Sequence, residues 1–163
     1  MKMIAAAFML HLAMTGFAFA GSAAEGGETV LLTVTGAVEG AAVAFDRSEL
    51  RALDQRQATM ETPWTDGQVT FDGPLLSAVL KAAGANGKTV VIKALNDYSA
   101  EIPMEDVTGF ATMLAMSMNG KDMSVREKGP LFLVYPFDTN PELYNEKYFS
   151  RSVWQIHEIE VRE

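Results

Sequence analysis

The stretch Asp72-Gly73-Pro74-Leu75-Leu76-Ser77-Ala78-Val79-Leu80-Lys81-Ala82-Ala83-Gly84 decides the fold class. Proline fixes φ near the helical value and lacks the N–H that a first turn leaves unpaired, so Pro74 is expected at the first helical position. Leu75, Leu76, Val79, Leu80 and Ala83 share one face at helical spacing, and Gly84 supplies a left-handed stop. A helix with one apolar face needs a surface to cover, and the flanking segments read as a sheet. Upstream, Gln68-Val69-Thr70-Phe71 and residues 57–64 read as two strands joined by Thr65-Asp66-Gly67. Downstream, residues 88–95 read as a buried strand ending at Asn96-Asp97, and residues 98–102 as its partner.

The same pattern continues to both ends. Residues 29–35 form a β-branched, apolar run bounded by Gly36. Asp46-Arg47-Ser48-Glu49 pairs an N-cap residue with an acid at the third helical position, which starts a short helix running to about Leu53. Residues 103–106 read as a helical turn, with Glu101, Glu105 and Asp106 as a solvated acidic cluster. Bulky and small residues alternate over 110–118, which predicts one strand, with the methionines as core filling, before a turn at Asn119-Gly120. Residues 131–136 predict another buried strand. Residues 153–161 predict the last one or two, broken near His157-Glu158. Many short strands with a few short helices make an α+β domain, a single compact one over residues 29–163.

Composition narrows the chemistry. The sequence has 163 residues and no cysteine, so disulfides, zinc-thiolate sites, iron–sulfur clusters and cysteine nucleophiles are excluded. The net charge of −8 disfavours nonspecific binding to nucleic acid or anionic lipid. Residues 1–20 carry Lys2, an apolar stretch and Ala18-Phe19-Ala20 before Gly21. This is the layout of a cleaved secretory signal peptide, with a flexible 21–28 after it, a periplasmic destination and no membrane insertion once the leader is gone. Cleavage removes His11 and leaves His157, on a strand beside Glu158, as a surface residue rather than a triad base. No nucleophile elbow, phosphate loop or dinucleotide fingerprint is present, and no catalytic or metal-ligating residue is assigned.

The polar groups that stand out lie in loops between very apolar strands, where binding groups concentrate. They are Trp64-Thr65-Asp66, Asn96-Asp97-Tyr98, the loop containing Arg126 and Lys128, and Arg151-Ser152-Val153-Trp154. Trp64, Tyr98 and Trp154 with the three cations would make a basic, aromatic-walled pocket for a flat heteroaromatic ligand, with Asp97 accepting from ring N–H groups. The competing reading has both tryptophans at the core edge and the cations solvating a loop.

Phe71-Asp72-Gly73-Pro74-Leu75-Leu76, Ala94-Leu95-Asn96-Asp97-Tyr98-Ser99-Ala100-Glu101-Ile102-Pro103, Met118-Asn119-Gly120-Lys121, Lys128-Gly129-Pro130-Leu131-Phe132-Leu133-Val134-Tyr135-Pro136 and Arg151-Ser152-Val153-Trp154-Gln155-Ile156 together resemble the oxidoreductase molybdopterin-binding domain of the sulfite oxidase superfamily, from about Thr59 onward. The resemblance implies a β-rich α+β fold. It also implies a pterin held by loops carrying Trp64, Asn96, Asp97, Tyr98, Arg126, Lys128, Arg151, Ser152 and Trp154. Family enzymes place a molybdenum-binding cysteine ahead of the Phe-x-Gly-x-x-Leu motif, where this chain has Thr59-Met60-Glu61-Thr62-Pro63-Trp64. A thioether or carboxylate is a poor substitute for that thiolate. The chain looks more like small exported members that bind metal-free pterins as ligand sensors for membrane signalling partners. The alternatives are a molybdenum-cofactor (molybdopterin) oxidoreductase or subunit, and a pocketless assembly protein that kept the fold.

Overall fold

The computed structural model describes residues 29–163; the leader expected at 1–20 and the flexible segment at 21–28 lie outside the described residues. The described chain runs β1 (Leu32–Gly36), β2 (Ala42–Phe45), α1 (Arg47–Ala52), β3 (Gln55–Glu61), β4 (Gln68–Pro74), α2 (Leu76–Ala82), β5 (Thr89–Ala94) and β6 (Ser99–Pro103). It continues through α3 (Met104–Gly109), β7 (Met113–Ala115), β8 (Ser117–Met118), β9 (Lys121–Asp122), β10 (Phe132–Val134), α4 (Glu146–Arg151) and β11 (Ile156–Arg162). Among the described residues no helix is long and apolar enough to cross a membrane.

Period-two alternation builds the largest sheet, ordered β2-β1-β11-β5-β6. Leu32 and Val34 of β1, Ile159 and Val161 of β11, Val90 and Ile92 of β5 and Ile102 of β6 are buried. Thr35, Glu158, Glu160 and Lys93 alternate with them and carry the polar contacts of the other face. β1 and β11 pair in parallel, Thr33 opposite Glu158, while the other pairs in this sheet are antiparallel. The break expected near His157 is a register shift between Ile156 and Glu158 against β5, and His157 is exposed there.

A second sheet is ordered β3-β4-β8-β9, and β7 pairs with β10 as a separate, fully buried pair. Residues 131–137 are buried throughout, the mark of a strand covered on both faces. Gly73 lets β4 run against β7, because a Cβ there would overlap the Leu114 carbonyl. The capping box on α1 forms as expected: the Glu49 N–H donates to Asp46 Oδ1 at 2.8 Å and the Asp46 N–H to Glu49 Oε2 at 2.8 Å. It presents Leu50 to the core, where full burial of such a side chain stabilises by about 2 kcal/mol. The methionines of 110–118 fill the core as expected, Met113 and Met116 fully and Met118 in part; Met60 and Met123 are buried as well.

Three local expectations need correction. Pro74 ends β4, opposite Gln55, and the helix begins at Leu76 with Leu75 as its cap; strand pairing through Gly73 and Pro74 overrides the propensity of proline for a first turn. The strand expected over 110–118 breaks at Met116 into β7 and β8, which join different sheets. Residues 112–117 are buried on both sides, so the alternation there records side-chain size and not exposure. Asp106 is not solvated: it is 7% exposed, and Glu101 and Glu105 stay in water. α4 carried no assignment, although Asn145 caps it by accepting from the Lys147 N–H at 3.1 Å.

Candidate binding site

The β5–β6 turn forms one wall of a cavity of about 350 Å³ lined by ten residues, among them Trp64, Asn96, Tyr98, Glu146, Phe149 and Trp154. In this turn Asp97 takes φ +65, a conformation that asparagine and aspartate tolerate, and Asn96 Oδ1 accepts from the Tyr98 N–H at 3.2 Å. Tyr98 Oη then donates to the Ser150 carbonyl at 2.7 Å, fastening the turn to α4. Glu146, Phe149 and Ser150 stand three and four positions apart, so α4 presents them to the cavity on one face.

Trp64 is the aromatic hub. It meets Phe132 at 5.6 Å, Trp154 at 5.8 Å and Phe149 at 5.9 Å, all edge to face. A threonine turn holds it: the Trp64 N–H donates to Thr62 Oγ1 at 3.3 Å, and Thr65 Oγ1 accepts from the Thr62 N–H at 3.0 Å. Both tryptophans pack on the core and also line the cavity, so the two sequence readings of them are compatible.

The expected site residues divide. Trp64, Asn96, Tyr98, Ser152 and Trp154 line the cavity. Lys128 stands beside it, with its ammonium 6.0 Å from the Trp154 ring centroid. Its carbonyl accepts from the Gln155 N–H at 3.0 Å, which ties this loop to the chain after Trp154. Asp97, Arg126 and Arg151 are not lining residues. Asp97 sits exposed at the turn apex, because its left-handed backbone is what makes the turn. Arg126 is exposed on a 3-10 turn, Val125–Glu127. Arg151 is committed elsewhere: its Nη1 donates to Asp106 Oδ2 at 2.6 Å, and Tyr135 Oη donates to the same oxygen at 2.9 Å. Burial, and next the Asp106 charge, push the Tyr135 phenol far above its ordinary value, so it stays a donor.

Sequence reasoning missed Glu146, Phe149 and Ser150. The signal was present in Asn145-Glu146, a capping residue followed by a first-turn acid, with an aromatic three positions on.

The cavity fits a flat, hydrogen-bonding heterocycle. Four aromatic side chains supply its walls, Asn96, Ser150 and Ser152 supply polar groups, and its volume lies at the lower end of the roughly 300–1,000 Å³ of small-molecule sites. The donor set does not fit molybdenum. Met60, in the stretch where the thiolate is expected, is buried in the core cluster, and no group of three or more His, Asp or Glu residues converges among the described residues.

The mixed sheet, the buried β7–β10 pair and the loops around this cavity define a sulfite-oxidase-like molybdopterin-binding fold. The chain matches the family model of the oxidoreductase molybdopterin-binding domain over residues 25–163, and it belongs to that family. The match reaches further towards the N-terminus than the motifs from Thr59 onward. Among solved structures the chain is similar to the sulfane dehydrogenase SoxCD from Paracoccus pantotrophus, with a TM-score of 0.62 and 22% identity over 80% of this chain. It spans 37% of that chain, and the likeness is one of fold. No curated protein matches at a significant level.

Proposed function

We propose that this domain is a non-catalytic, metal-free pterin-binding module that works in the periplasm as a ligand sensor, presenting its complex to the extracytoplasmic domain of a membrane signalling protein. One observation carries the reading: the stretch that delivers Trp64 to the aromatic cavity, Thr59-Met60-Glu61-Thr62-Pro63-Trp64, contains no thiolate. Stacking and hydrogen bonding to a pterin ring need no metal, whereas redox chemistry on molybdenum needs strong ligands. The leader-like residues 1–20 support the compartment, and the acidic balance of the chain argues against nucleic acid as a partner. The second reading, a molybdenum-cofactor oxidoreductase or a subunit of one, is favoured by the family description itself.

Mass spectrometry and elemental analysis of what the protein releases on denaturation, after purification from its own periplasm, separate the two. A pterin without molybdenum is the expected result. Stoichiometric molybdenum would overturn the proposal and favour the enzyme. A purified protein that binds no added pterin would overturn it as well.

A further inference from the structure

Among the described residues, Glu146 is the only charged side chain lining the cavity. It shares one face of α4 with Phe149 and Ser150, which also line it. Among the described residues no lysine or arginine pairs with its carboxylate, and Arg151, at the opposite end of α4, is already bound to Asp106. An ionised carboxylate is an acceptor on both oxygens and has nothing to donate. In a wall otherwise made of indole, phenol, phenyl, amide and hydroxyl groups, it selects a ligand edge that offers two adjacent N–H donors.

Building on the pterin reading above, we propose that Glu146 is the specificity residue of the site: its carboxylate accepts from the ring N3–H and the 2-amino group of an aminopyrimidinone edge. That role does not fall to Asp97, which does not line the cavity. Paired, charge-assisted N–H···O bonds are stronger than neutral ones and fix the ring in its plane between the aromatic walls. A ring with a carbonyl in place of the 2-amino group sets an acceptor against an acceptor, and the site rejects it.

Pterin and lumazine differ in that one group, so calorimetric titration of both into the folded protein at pH 7.5 reads the contact directly. The expected result is that pterin binds at least about tenfold more tightly than lumazine. Glu146→Gln replaces one acceptor by a donor, which matches the lumazine edge instead, so the preference falls to about one or reverses. Asp97→Asn leaves the ratio unchanged. Glu146 is exposed at the start of α4, and thermal melting monitored by circular dichroism checks that both variants fold. A preference that survives Glu146→Gln, or one that is lost in Asp97→Asn, overturns the assignment while leaving the pterin reading intact. A wild-type protein that binds neither compound overturns both.

Discussion

Asp106 and Arg151 meet through a 2.6 Å ion pair that ties α3 to the last residue of α4. The pair is mostly buried, at 10% and 20% side-chain exposure, and Tyr135 completes the coordination of the carboxylate. α4 is one wall of the cavity, so the pair positions a binding surface that neither residue touches. Removing one partner strands the other charge. Asp106→Ala is expected to lower unfolding stability by about 3 kcal/mol in urea titration, with Arg151→Ala similar. The double variant Asp106→Leu, Arg151→Met should recover much of that loss. A double variant that loses as much as the two single ones combined would show that the pair is not coupled.

Tyr98 fastens the opposite wall. Tyr98→Phe removes the hydrogen bond to the Ser150 carbonyl and keeps the ring, so the expected loss of stability is about 0.5–1 kcal/mol. Hydrogen exchange should accelerate in α4 and in the β5–β6 turn and stay unchanged in β7 and β10. Uniform acceleration would mean that this bond does not fasten the two walls.

The outer face of the large sheet sets the acid limit. Lys93 Nζ lies 2.9 Å from Glu158 Oε1 and 2.8 Å from Glu160 Oε2. Glu160 is pushed down to about 2, first by its hydrogen bond from Arg162 and next by that from Lys93; Glu158 is lowered chiefly by Lys93. A carboxylate held below its ordinary value of 4.5 contributes stability above that pH and loses it as pH falls through the folded value. Stability should therefore drop between about pH 4.5 and pH 2, and Lys93→Met should flatten that limb in chemical denaturation series. Because these groups are near solvent, 1 M salt should shrink the difference between the two proteins.

Gly73→Ala tests the close approach of β4 and β7. The new Cβ would overlap a backbone carbonyl, which cannot move aside as a side chain can. A loss of about 3 kcal/mol or failure to fold is expected, against less than about 1 kcal/mol for Gly67→Asn at an open turn with positive φ. Equal melting temperatures for the two variants would contradict this.

Strands with a wet face and a dry face were legible from the sequence, as in β1 and β11, because burial there follows the alternation of residues. So were local devices such as the Asp46 capping box and the Asn119-Gly120 turn, where both residues take positive φ. What escaped was set by distant contacts. Met116 breaks its strand because β4 and β10 pull its two ends into different sheets. Asp106 leaves water because Arg151 and Tyr135 come to it from 45 and 29 residues away. In the cavity, the residue types that stack a heterocycle could be picked from the loops. Arg151 read as a ligand contact only because its partner was invisible in the sequence. Glu146 went unnoticed because an exposed acid in a surface helix looks ordinary until the helix is docked.

The parallel pairing of β1 with β11 has a consequence for the order of assembly. Thr33 finds its partner at Glu158, across most of the described chain, and β11 lies between β1 and β5 at the centre of the sheet. The β1–β2 and β5–β6 hairpins can form early from local contacts, but they stay separate ribbons until β11 is made and inserted between them. Folding of the large sheet is thus held back until the whole stretch has emerged, and the last strand made is the one that joins its two halves.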